Sequence, residues 1–199
     1  MVKASTHPRS PGRGTGGPRH SAVAGPLAPC EIRRMPTTTE NLATAFAGES
    51  QANRKYLAFA RQAEKEGFPQ IARLFRAAAE AETIHALGHF ANMGGVGTTL
   101  QNLEAAVAGE TYEFTEMYPP MLAQAEAEGH KARHMFKFAN QAERVHAGLF
   151  GQALAAMKAG ADLSTMDVYL CPVCGDIEFG PPPERCPICG APASKYQKI

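Results

Sequence analysis

The chain has 199 residues, 44% of them hydrophobic, and a formal net charge of +1. That apolar content supports a real core and excludes a wholly disordered chain, while no apolar run approaches the roughly 20 residues that a membrane-spanning helix needs. The small net charge hides an asymmetry: residues 1–34 hold six Lys or Arg against the single acid Glu31, which leaves 14 basic and 18 acidic residues, or −4, from Met35 onward.

Residues 1–35 form the first segment. It is rich in proline and glycine, has no apolar periodicity, and is expected to be either a disordered basic tail or an over-extended gene start. Met35 is followed by PTTTENL, a helix-start signal. Cys30 in this segment reads as an unpaired bystander, and the remainder of the chain as a soluble, cytoplasmic protein.

From Thr37 the pattern is helical. Ala, Leu, Phe, Glu, Lys and Arg dominate, apolar residues recur at three-and-four spacing, and β-branched residues are few. Gly67, Gly94-Gly95 with Gly97, Gly129 and Gly160 divide the pattern into four helices, at about 38–66, 70–93, 99–128 and 130–159. Pro119-Pro120 lies inside the third, where a kink or local break is expected. The halves repeat: NLATAFAGES at 41–50 matches NLEAAVAGET at 102–111, and ETIHA at 82–86 matches ERVHA at 143–147, both with an offset of 61. A duplicated two-helix unit predicts a mainly α protein, a four-helix bundle over residues 36–160 with pseudo-twofold symmetry.

The repeat also organises the acids and histidines. Glu82 and His85 stand three apart on one helix face, Glu143 and His146 repeat them, and each partner helix offers one early carboxylate, Glu49 or Glu110. One Glu-x-x-His pair is commonly a solvated surface pair. Two pairs at the repeat offset, each matched by a carboxylate, form the ligand set of a di-iron carboxylate bundle, and hard carboxylates with imidazoles suit Fe or Mn. His89, His130 and His134 read as packing or surface residues. In AGETYEFTEMYP, residues 108–119, Glu110 is the symmetric partner of Glu49, but Glu113 has no acidic counterpart, because Ala52 stands at its equivalent position. Glu113 is thus the surplus acid of the repeat, whereas Glu116 is turned away from the metal-facing side.

After Gly160 the composition changes. Residues 167–199 hold Cys171-x-x-Cys174 and Cys186-x-x-Cys189, a four-thiolate metal site on two tight turns. In isolation these thiolates suit zinc as well as iron. Beside a di-iron bundle, a one-electron iron centre has a task, which is to pass electrons to the other metals.

The motifs AGESQANRKY, ETIHA, AGETYEFTEMYP, ERVHA and CPVCG…CPICG resemble those of the rubrerythrins, ferritin-like di-iron bundles fused to a C-terminal rubredoxin-like domain, and the resemblance covers residues 36–199. It implies di-iron ligands at Glu49, Glu82, Glu110, Glu113, Glu143 and His146, with His85 ligating according to redox state and Glu82 and Glu143 as bridges. Tyr56 and Tyr118 match tyrosines flanking the pocket, and Cys171, Cys174, Cys186 and Cys189 would hold the rubredoxin-type iron, giving three irons per chain. The implied activity is reduction of hydrogen peroxide to water. Electrons would derive from NAD(P)H through an external carrier such as rubredoxin, and the assembly would be a homodimer or higher homo-oligomer, head-to-tail or domain-swapped, without nucleic acid or membrane. Ferritin-like ferroxidase or iron handling is the alternative, and a helical scaffold with a zinc ribbon is a third. Asp176 departs from the aromatic that often follows the first CPxCG, which bears on the packing and potential of that iron.

Overall fold

The computed structural model describes residues 35–199; the expectations for the basic segment and for Cys30 lie outside them. Helix α1 (Thr38–Lys65) starts at a capping box: the Thr37 N–H donates to Glu40 Oε2 (2.6 Å) and the Glu40 N–H to Thr37 Oγ1 (3.2 Å). Its repeat equivalent α3 (Thr99–Tyr112) starts on the same device, with Thr98 and Gln101 exchanging the bonds. Helix α2 (Pro69–Asn92) opens on a proline whose missing N–H costs nothing in the first turn, and α5 (Arg133–Lys158) completes the second pair. Gly67 and Gly129 turn the chain between the helices of each pair at φ +82° and +62°, a region that disfavours any side chain.

The third helix breaks before the prolines, not at them. A π-helical turn spans Glu113–Met117, and Pro119 and Pro120 lie in the first turn of α4 (Tyr118–Ala127), where proline is tolerated. The register of the repeat explains the π turn. Glu49 aligns with Glu110 at an offset of 61, but Tyr56 with Tyr118, Ala63 with Ala125 and Gly67 with Gly129 align at 62. One extra residue therefore sits between Glu110 and Tyr118, and a π turn, which bonds i to i+5, accommodates it without ending the helix. The α1 side has no insertion and runs unbroken.

The helices form two hairpins, α1–α2 and α3–α5, each closed along a seam of small residues. Ala60, Ala63, Ala72, Ala79 and Ala86 are buried in the first, and Ala125, Ala139 and Ala142 in the second. Asn53 Nδ2 ties the first seam by donating to the Ala79 carbonyl (2.7 Å) and Thr83 Oγ1 (2.8 Å). Arg76 and Glu64 add an ion pair at its rim. Among the described residues, every buried side chain on these helices is an alanine, while Phe59, Leu74, Ile84, Leu87 and Met135 remain exposed.

Residues beyond 160 carry strands β1 (Val168–Leu170), β2 (Ile177–Phe179) and β3 (Gln197–Lys198) in an antiparallel sheet ordered β2-β1-β3. The centre of this module is the cysteine cluster, against which Ile188, Ala191, Tyr196 and the α5 residue Phe138 pack. No helix of the described residues is long and apolar enough to cross a membrane.

Candidate metal centres

Two groups of three donors stand on the hairpins. Glu49 on α1 joins Glu82 and His85 on α2, and Glu110 on α3 joins Glu143 and His146 on α5; within each group the ligand atoms lie within 4.8 Å of one another. In the first group His85 Nδ1 is 3.2 Å from Glu82 Oε2 and 3.9 Å from Glu49 Oε2. In the second, His146 Nδ1 is 2.6 Å from Glu143 Oε2 and 3.6 Å from Glu110 Oε2. The 3.6-residue helical repeat places each Glu-x-x-His pair on one face, and the hairpin seam brings the third carboxylate across.

The electrostatics are those of a cation site. The Glu49 carboxyl is held above its ordinary range by its hydrogen bond with Glu82 and by desolvation, and His89 acts in the opposite direction, so that histidine stands close to the group. Glu110 is raised by desolvation and then by Glu143, and Glu113 by desolvation and then by Glu110. Carboxylates crowded this way repel one another, and a bound divalent cation removes the conflict. Tyr118 belongs to the second group: desolvation, followed by Glu143, Glu113 and Glu110, raises its phenol. Tyr56 packs instead against Phe59 and Phe75, at centroid distances of 6.3 and 6.1 Å. His130, His134 and Glu116 are exposed.

The four cysteines fit a tetrahedral metal. Cys171 and Cys189 bring their Sγ atoms to 3.6 Å, and Cys174 and Cys186 to 3.5 Å, near the ~3.8 Å edge of a tetrahedron with metal–sulfur bonds of about 2.3 Å. All four are free thiols. Burial pushes Cys174 up, opposed by the Asp176 N–H. Burial also raises Cys186, but hydrogen bonds from Tyr196 and from the Cys189 and Ile188 N–H groups outweigh it and bring the thiol below its usual range. The turns thus aim backbone donors at sulfur. Asp176 is fully buried; its Oδ2 accepts the Tyr196 hydroxyl proton at 2.6 Å and lies 3.5 Å from Cys186 Sγ. Tyr196 supplies the aromatic cover that the residue after the first knuckle does not.

One contact joins the two kinds of centre. His146 Nε2 lies 2.8 Å from the Gly175 carbonyl, an atom that only accepts, so in the neutral ring Nε2 carries the proton and Nδ1 keeps its lone pair toward Glu110 and Glu143. Gly175 follows Cys174 at φ +87°, and a Cβ added to it would stand 4.0 Å from the Cβ of Ala142 on α5, one helical turn before His146. Spacing in sequence could not reveal this contact, because its partners are 29 residues apart, one on α5 and the other in the turn after Cys174.

Comparison with known proteins identifies the family. The family description "Rubrerythrin" matches residues 40–154, and "Rubrerythrin, rubredoxin-like domain" matches residues 169–197. Rubrerythrin-2 of Clostridium acetobutylicum is 38% identical over 175 residues, covering 80% of this chain and 95% of its own. Nigerythrin of Nitratidesulfovibrio vulgaris is also 38% identical over 175 residues, covering 80% and 85%. A solved structure of nigerythrin in a partially reduced state aligns at a TM-score of 0.49 with 35% identity, covering 87% of this chain and 92% of that one. With the Glu/His sets of a di-iron site and the four-cysteine cluster of an iron–thiolate centre both present, the chain belongs to the rubrerythrin family.

Proposed function

We propose that this protein is a non-haem di-iron peroxidase that reduces hydrogen peroxide to two waters, consuming two electrons and two protons. Glu49, Glu82, Glu110, Glu113, Glu143 and His146, with His85 in one redox state, hold the iron pair. Cys171, Cys174, Cys186 and Cys189 hold the third iron. When bound, the reduced iron pair supplies the two electrons that break the O–O bond. The bundle occupies residues 36–160 and the rubredoxin-like domain residues 167–199.

The observation that carries this reading is the His146–Gly175 hydrogen bond, which links a candidate di-iron ligand to the backbone of a cysteine knuckle. Ferroxidase or iron-handling chemistry would leave that link, and the whole four-cysteine module, without a task. The chain's own groups then have separate roles. His146 Nε2–H donates to Gly175 and fixes the imidazole with Nδ1 toward the carboxylates. Tyr118, with its phenol raised, keeps its proton and offers a hydrogen-bond donor beside Glu113 and Glu143. Glu113, drawn upward by burial and then by Glu110, stands beside Glu110 and His146 and would alternate with His85 as a ligand to one iron.

Electrons reach the four-cysteine iron from an external donor, rubredoxin or an NAD(P)H-dependent reductase. A cytoplasmic setting fits four thiols held unpaired for metal. Metal analysis with a visible spectrum tests the assignment: about three irons per chain with thiolate-to-iron absorption are expected, and zinc at the cysteines with no iron in the bundle would replace this reading by a scaffold with a zinc ribbon.

A further inference from the structure

We infer that Asp176 sets the reduction potential of the four-cysteine iron and holds it low, by facing Cys186 Sγ with an acceptor and by claiming the Tyr196 proton that would otherwise reach that sulfur. The inference rests on the reading of the four thiolates as an iron site.

The knuckles are themselves a repeat. CPVCGD at 171–176 aligns with CPICGA at 186–191 at an offset of 15, and the backbone follows the alignment: the Cys171 N–H donates to the Asp176 carbonyl at 2.8 Å, and the Cys186 N–H to the Ala191 carbonyl at 2.7 Å. Gly175 and Gly190 make the matching left-handed turns at φ +87° and +75°. The unlike pair in chemistry is Asp176 and Ala191. An apolar side chain therefore satisfies the turn, which does not itself call for a carboxylate.

Burial does not favour the carboxylate either. Asp176 is fully buried, and its Oδ1 has no hydrogen-bond partner among the described residues, a costly state for a polar atom. Its Oδ2 is engaged twice, accepting the Tyr196 hydroxyl proton at 2.6 Å and standing 3.5 Å from Cys186 Sγ. A length of 2.6 Å is that of an O–H donor bound to a charged acceptor. Burial, then Asp176 and Cys186, hold the Tyr196 phenol above its ordinary range, so the hydroxyl keeps its single proton beside two acceptors and gives it to Asp176. Glu178 on β2 is likewise drawn upward, by burial and then by Asp176, so the field of this carboxylate reaches past its own hydrogen bond.

Reduction adds one electron as the thiolate-bound iron passes from ferric to ferrous, and the charge on the sulfurs grows. Donors aimed at sulfur stabilise that charge and raise the potential, whereas a nearby anion or acceptor lowers it. Backbone donors reach Cys186 from Cys189 and Ile188. On its side-chain flank Cys186 meets Asp176 Oδ2, and once metal has taken the thiol's proton, two acceptors face each other there. A lower potential makes the iron the stronger reductant, which favours electron transfer toward the pair held near His146, the residue that bonds the neighbouring knuckle at Gly175.

Redox titration of the iron-loaded full chain, followed at the thiolate-to-iron absorption, tests this. Asp176→Asn keeps the shape and removes the charge; at the wild-type midpoint the ratio of reduced to oxidised centre should rise about tenfold, a shift of about 59 mV for one electron. Asp176→Ala, which copies Ala191 and frees the Tyr196 proton for Cys186, should shift the same way. Tyr196→Phe removes the donor and leaves the carboxylate facing the sulfur, so the potential should hold or fall. A module merely loosened by substitution would admit water and move all three variants upward together; that result would overturn the inference, as would a ratio for Asp176→Asn that does not rise. A wild type lacking the thiolate–iron absorption would overturn the iron reading beneath it, whereas equal potentials with that absorption intact overturn the assignment of Asp176 alone.

Discussion

At the scale of single residues, the unequal member of the repeat is Glu113. Its surplus was legible in the sequence, because Ala52 stands where symmetry expects a carboxylate. The cause was not, since matching motifs at an offset of 61 on both flanks conceal the one-residue slip between Glu110 and Tyr118. Glu113 lies beside Glu110 and His146 and belongs to the π turn. Glu113→Ala should keep the irons, because the other carboxylates and histidines remain, but lower peroxide turnover by about 10- to 100-fold. Unchanged turnover with full metal would remove Glu113 from the mechanism. Asp176 is the other residue whose role needed the fold. A polar residue after the first knuckle gives no hint that a tyrosine 20 positions later covers it. Tyr196→Phe takes the hydroxyl from Oδ2 of this buried carboxylate, whose Oδ1 already has no hydrogen-bond partner, and thermal melting should show a loss of about 1–3 kcal/mol from the module. An unchanged melt would mean that the hydrogen bond contributes nothing net.

At the scale of elements, helices and knuckles followed from periodicity, capping and glycine placement. The break in the third helix did not, because proline is the obvious breaker, yet Pro119 and Pro120 fall where a new helix begins and cost little. The cysteine module has a different basis. Its buried centre is the thiolate cluster itself, with short strands around it, and a unit of this size depends on its metal. Stripping that metal by chelation under mild acid should unfold residues 167–199 while α1 to α5 persist, seen as selective loss of amide protection in hydrogen exchange. Protection that survives complete removal of the metal would show that the sheet and Tyr196 hold the module unaided.

For the whole molecule, the ligand types were readable from the repeat but their partnership was not. An apolar stripe beside a carboxylate looks the same in sequence whether its cover comes from the same chain or from a second copy. The hydrogen bond from His146 to Gly175 sets the four-cysteine cluster beside the Glu110, Glu143 and His146 group of the same chain.

Peroxide reduction at the bundle is the claim on which the rest turns. Stopped-flow mixing of the fully reduced protein with hydrogen peroxide, followed at the di-iron and thiolate–iron absorption bands, measures it most directly. The account predicts rapid di-iron oxidation, much faster than with dioxygen at equal concentration, followed by oxidation of the four-cysteine iron as its electron moves inward. Oxidation by peroxide no faster than by dioxygen would contradict it.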